Sequence, residues 1–89
     1  MFRFRVKHAQ NLESLSVLVL EGEVVSGESA EGDNMRIISD KVDVCARLIG
    51  VGRLKRCSED PRFSWVSLTF ASMDVDCASL MRCGIVESA

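Results

Sequence analysis

The residues best placed to do chemistry lie in a polar run, "GEVVSGESAEGDN", over 22–34, which holds three of the six glycines. Gly27 and Gly32 have four residues between them, which is the first half of a Gly-x-x-x-x-Gly-Lys-Ser/Thr phosphate loop. That loop works because its lysine reaches the phosphates and its hydroxyl reaches magnesium. Here Asp33 and Asn34 stand at those two positions. An aspartate repels phosphate, and no helical periodicity follows to offer an anion a helix N-terminus. "GVG" at 50–52 lacks the third glycine and the helix of a dinucleotide fingerprint. Nucleotide hydrolysis is not expected.

Thiol, imidazole and carboxylate chemistry fares no better. Cys45, Cys57, Cys77 and Cys83 are separated by 12, 20 and 6 positions, without the close pairs from which zinc sites draw their ligands. The expectation is buried free thiols in a reducing cytoplasm, with a disulfide as the alternative. His8, the only histidine, has no local signature of a Cys-His nucleophilic pair and reads as a surface residue at a strand end. Glu21, Glu23, Glu28, Glu31 and Asp33 do not match the alternate spacing and fixed glycine of a calcium loop. They read as solvated carboxylates that protect a sheet edge. No metal, cofactor or catalytic residue is expected.

The basic residues give the clearer signal. The net charge is −2, but residues 1–12 carry Arg3, Arg5 and Lys7 with no acid, and 41–56 carry Lys41, Arg47, Arg53, Lys55 and Arg56 against Asp43 alone. Residues 13–40 hold seven acids against Arg36. Such blocks make charged faces on a near-neutral protein. Arg53, Lys55 and Arg56 form the densest cluster. Two readings apply to it: a contact for RNA phosphate, driven by charge neutralisation, or a solvated loop. Arg3, Arg5 and Lys7 extend the patch if the first strand lies beside that loop. Trp65 either points away from the core, as an interface anchor, or tucks under the loop.

The elements that carry these residues have a period of two almost throughout. Phe2, Phe4 and Val6 alternate with Arg3, Arg5 and Lys7, a half-buried strand with a basic outer face. "NLES" reads as a turn, and "LSVLVLEGEVV" (15–25) as a long strand that bends at Gly22. A polar turn, "SGESAEGDN", leads to a short strand at "MRIIS", then the tight connection "SDK" (39–41). "VDVCARLIGV" (42–51) is one strand with Val42, Val44, Ala46 and Leu48 on one side. "GRLKRCSEDPR" (52–62) is a charged loop with the only proline, Pro61. "FSWVSLTFA" (63–71) sets Val66, Leu68 and Phe70 on one face. "DCASLMRCG" breaks the beat: Asp76 can cap a helical turn over 76–82, Cys77, Leu80 and Met81 have helical spacing, and Gly84 can end it. "GIVES" is a brief last strand.

Eighty-nine residues make a single domain, 1–89, long enough for one core without staples. The longest tight apolar run, Val17–Leu20, falls far short of the ~20 residues of a membrane helix. "MFRFRVKHAQ" is no signal peptide. A cytoplasmic protein is expected.

Two families resemble this chain. Gly22-x-Val24-x-x-Gly27, followed by Gly32-Asp33-x-Met35-x-Ile37, resembles the β-barrel second domain of the translational GTPases, the elongation factor Tu type. The late "VSLTF", Asp74, Asp76 and "LMRCGIV" are similar to that family's closing strands, with Cys83 inserted between Arg82 and Gly84. The likeness spans roughly 17–87 and implies a barrel without catalysis, with the GTPase domain that normally precedes it expected to be absent. Alternatively, Arg3-x-x-x-Lys7 and Gly27-x-Ser29-x-x-Gly32 resemble the PilZ barrel, which binds cyclic di-GMP. There Lys7 replaces an arginine that would fork onto the ligand and Gly27 replaces an acceptor side chain, so the resemblance implies weakened or lost binding.

The expectation is an all-β fold: a small, closed or partly open six-stranded antiparallel β-barrel with one short helical turn near the C-terminus. It would be a non-catalytic binding module for a protein or ribonucleoprotein, engaged through the 52–62 loop and the first strand. Its site residues would be Arg3, Arg5, Lys7, Arg53, Lys55, Arg56 and Trp65.

Overall fold

The computed structural model describes residues 1–54 and 65–89. Among these residues, seven strands form one antiparallel sheet: β1 (Arg3–Leu12), β2 (Val17–Ser26), β3 (Asn34–Ile38), β4 (Asp43–Arg47), β5 (Gly50–Leu54), β6 (Trp65–Ala71) and β7 (Ile85–Ser88). Their spatial order is β4-β3-β7-β1-β2-β6-β5, and the sheet curls into an open half-barrel. A turn of 3-10 helix, Glu13–Leu15, links β1 to β2, and one helix, α1 (Cys77–Cys83), precedes β7. The short last strand is central, paired antiparallel with both β1 and β3.

The strand count corrects the expectation of six. The stretch 42–51 is not one strand, because its backbone changes neighbours between two consecutive residues. Leu48 N donates to Asp33 O at 2.9 Å, on the β3 side, while Ile49 N donates to Thr69 O at 2.8 Å, on the β6 side. β4 therefore pairs only with β3, and β5 only with β6. The two outermost strands of the sheet are joined directly through Leu48 and Ile49.

Alternation decides which face is buried. Phe2, Phe4, Val6 and Ala9 point inward from the first segment, Leu18 and Leu20 from β2, Met35 and Ile37 from β3, Leu68 and Phe70 from β6, and Val86 from β7. Val42, Leu48 and Leu80 complete the core, against which Val44, Ala46 and Val66 pack half-buried. Each fully buried Phe, Leu, Ile, Val or Met among them contributes about 1.5–3 kcal/mol. The only buried polar residue among those described is Ser79. Its hydroxyl lies 2.7 Å from Ser39 Oγ and donates to Asp76 O at 2.9 Å, so it costs little.

Gly22 does bend the sheet, and the bulge falls on its partner. The β1–β2 register runs Val6↔Gly22, then His8↔Glu21, so Lys7 is the extra residue. A Cβ on Gly22 would overlap the Arg5 carbonyl oxygen and stand 3.0 Å from Lys7 N. α1 forms as its residue types require: the Asp76 carboxylate accepts from Ser79 N at 3.0 Å and Leu80 is buried. Gly84 ends it in extended backbone (φ −67°, ψ 135°). Glycine is needed there for room, since a Cβ would overlap Leu80 O.

Candidate interaction site

The outer face of β1 is built by the same alternation that buries Phe4 and Val6. Arg3, Arg5 and Lys7 are exposed and make no ion pair with any described residue. Register still sets acids across from two of them. Glu23 of β2 stands opposite Arg5, and Glu87 of β7 opposite Arg3. Glu87 is also opposite Arg36, which forks onto Asp43 through Nε (2.9 Å) and Nη2 (2.8 Å). That hydrogen bond is the main reason the Asp43 carboxyl is held below, and the Arg36 guanidinium above, its ordinary pKa. Lys7, as the bulged residue, has no partner across β2.

Register also shows how the first strand lies relative to the charged loop. Arg5, Glu23, Trp65 and Leu54 form one transverse row across β1, β2, β6 and β5. β5 ends at Leu54 and β6 begins at Trp65 at the sheet end where Arg3 and Arg5 lie, three and two strands from β1, so Gly52, Arg53 and Leu54, expected in a loop, are strand. Trp65 is half-buried. Arg53 pairs with Val66 in β5. Lys55 and Arg56 lie outside the described residues, as do Cys57 and Pro61.

One cation at this surface escaped the sequence reading. Arg5, Lys7 and Arg82 line a groove of ≈ 400 Å³ between the β1 bulge and the end of α1, with Met81, Cys83 and Gly84. Gly84 O accepts from Val6 N at 2.9 Å and fixes the helix end against the bulge. Arg82 Nη2 lies 3.4 Å from Asp40 Oδ2, and Cys83 Sγ donates to Asp40 Oδ1 at 3.4 Å. The thiol's hydrogen bond, more than Arg82, pulls the Asp40 carboxyl below its ordinary pKa. No local signal ties Arg82 to Lys7, because β7 must first insert beside β1.

A second concavity, ≈ 530 Å³, opens at the mouth of the half-barrel and is lined by Phe2, Val24, Val51 and Val66 with Gly27, Glu28 and Ser29. Gly27 and Gly32 have left-handed backbone (φ 74° and 94°). They turn the chain from β2 into β3.

The thiols depart from expectation. Cys45 and Cys83 are exposed and Cys77 is half-buried, all three free. Alternation turns Cys45 outward from Val44 and Ala46, and Cys83 faces Asp40. Burial raises the Cys77 thiol above its ordinary pKa, with Asp76 adding to the effect. His8 is exposed, opposite Glu21 in mid-strand and not at a strand end. Among the described residues no three of His, Cys, Asp and Glu are grouped to hold a metal ion. No helix among them is long and apolar enough to cross a membrane. No protein-family model, curated protein or solved structure matches this chain.

Proposed function

We propose that this chain is a non-catalytic binding module of the translation-factor second-domain type, working in the cytoplasm on a protein or ribonucleoprotein partner. The observation that carries the reading is the outer face of β1. Three exposed cations stand at alternate positions with no ion pair to a described residue, Arg5 in the transverse row that holds Trp65 and Leu54. Such a strip offers sequence-independent attraction to phosphate. The barrel reading draws on the open half-barrel and on the direct link through Leu48 and Ile49 that joins its two outermost strands, β4 and β5. Gly22, Gly27 and Gly32 then serve as the bends and turns that the resemblance implies.

Titration of a structured RNA across a salt series tests this. Affinity should fall with salt, and changing Arg3, Arg5 and Lys7 to Ala should flatten the slope by about 1 for each phosphate that is no longer neutralised. A triple change of Arg53, Lys55 and Arg56 to Ala tests the loop in the same way. A slope that is flat in the parent protein ends the RNA form of the reading.

The PilZ-like reading is second, favoured by Gly27 and Ser29 lining the mouth cleft beside Phe2, with Arg3 in register with Ser26. Lys7 stands further along β1, at the bulge. Calorimetric titration with cyclic di-GMP separates the two: micromolar heat would favour this reading, and its absence the first.

A further inference from the structure

We propose that the groove between the β1 bulge and the end of α1 binds a nucleic-acid backbone phosphate on Arg5, Lys7 and Arg82, and that Asp40 is the internal competitor this phosphate displaces. The inference rests on the RNA form of the function above and names where the polyanion lies.

Three observations carry it. First, Arg5, Lys7 and Arg82 line one groove, though Arg82 is 75 residues beyond Lys7 in the chain. Second, Arg3, Arg5 and Lys7 follow one another along the outer face of β1, Lys7 at its bulge. A line of cations suits a chain of phosphates better than a single anion. Third, the acids are distributed so as to steer such a chain. On the β2 side Glu23 and Glu21 stand opposite Arg5 and His8 and repel it. On the α1 side the carboxylate held by Arg82 is Asp40 alone, in an exposed contact of 3.4 Å. On the β7 side Glu87 stands opposite Arg3 but Ile85 opposite Arg5, so the polyanion is directed from Arg5 and Lys7 toward Arg82.

The helix end does not oppose it strongly, since the carbonyls of Leu80 and Gly84 already accept hydrogen bonds, from Gly84 N and Val6 N. Asp40 takes on Arg82 the place a phosphate oxygen would take. A guanidinium forks onto either group, and a phosphate flanked by Arg5 and Lys7 meets three cations where Asp40 meets one. Binding exchanges one weak surface ion pair for a charge-assisted contact.

The test measures binding of a short fluorescein-labelled oligouridylate, by anisotropy across a salt series, to the parent protein and to D40N, R82A, the D40N/R82A double variant and the R3A/R5A variant. D40N should bind roughly two- to fivefold tighter, the worth of one exposed ion pair. R82A should bind more weakly, with a salt slope shallower by about 0.7. In the R82A background D40N should gain less than it does alone, because the competition no longer has an object. An unchanged slope in R82A, or an equal gain from D40N with and without Arg82, overturns the proposal. If R3A/R5A alone weakens binding, the groove falls while the functional reading stands. If the parent protein shows no salt-dependent binding, both fall. Circular dichroism checks that each variant is folded, and R82A answers the question alone should D40N not fold.

Discussion

Gly22 lies against the backbone of Arg5 so closely that a Cβ there would overlap the Arg5 carbonyl oxygen. The bulge that leaves Lys7 unpaired follows directly from this approach. Backbone cannot give way as a flexible side chain can, so Gly22→Ala should cost at least about 3 kcal/mol, the upper end of overpacking penalties. Urea denaturation measures it. A loss below about 1 kcal/mol would mean that β1 and β2 do not cross this tightly.

Gly27 and Gly32 share a left-handed backbone but not their surroundings. A Cβ on Gly27 would stand 2.6 Å from Met1 O, whereas one on Gly32 meets only the Arg47 guanidinium at 3.5 Å. Gly32→Ala should therefore cost only the conformational penalty, about 1–2 kcal/mol, and Gly27→Ala clearly more. Paired melting curves check the order; equal costs would remove the close contact between the N-terminus and the β2 end.

Helix α1 depends on its cap. Asp76→Ala removes the acceptor for Ser79 N and the 3.8 Å contact with Lys41 Nζ. The expected loss is about 1 kcal/mol, read by thermal unfolding. Asp76→Asn, which keeps the acceptor, should recover most of it.

Thiol reactivity should follow exposure and charge. Cys77 is half-buried and its pKa is raised by burial and by Asp76, so its thiolate is scarce and hard to reach. Mass spectrometry after brief alkylation in the native state should show Cys45 modified well before Cys77. The same shift means that the folded state holds the Cys77 proton more tightly than the unfolded chain. That stability is complete below the unfolded pKa and is lost as pH rises through the folded value.

The acidic limb has the opposite sign. The Asp43 pKa is lowered, first by its hydrogen bond from Arg36. Its contribution is present above the unfolded value of about 3.9 and is lost as pH falls through the lower folded value. D43N should melt slightly below the parent protein at neutral pH, by a small, salt-sensitive margin because the pair is exposed. The margin should vanish in acid.

Much of the fold was legible because a strand with one wet face must alternate. Phe2-Phe4-Val6, Leu68-Phe70 and the Asp76 cap all behave as their spacing requires. What the sequence could not disclose was set at long range. The split of 42–51 arises because Leu48 and Ile49 bond to different neighbours. Glu23 and Glu87 come to face Arg5 and Arg3 only through register. Arg82 reaches the groove beside Lys7 only because β7 pairs with β1. The general tendency of cysteine to be buried misled for Cys45, where local alternation points outward.

The most direct test of the central claim is where a polyanion touches the protein. Amide chemical shifts of the labelled protein during titration with oligouridylate should move at Arg3, Arg5, Lys7 and Trp65, and at Arg82 and Gly84 across the groove. They should stay still along β3 and β4. Shifts confined to the mouth residues Val24, Gly27 and Ser29, or no shifts at all, would contradict it.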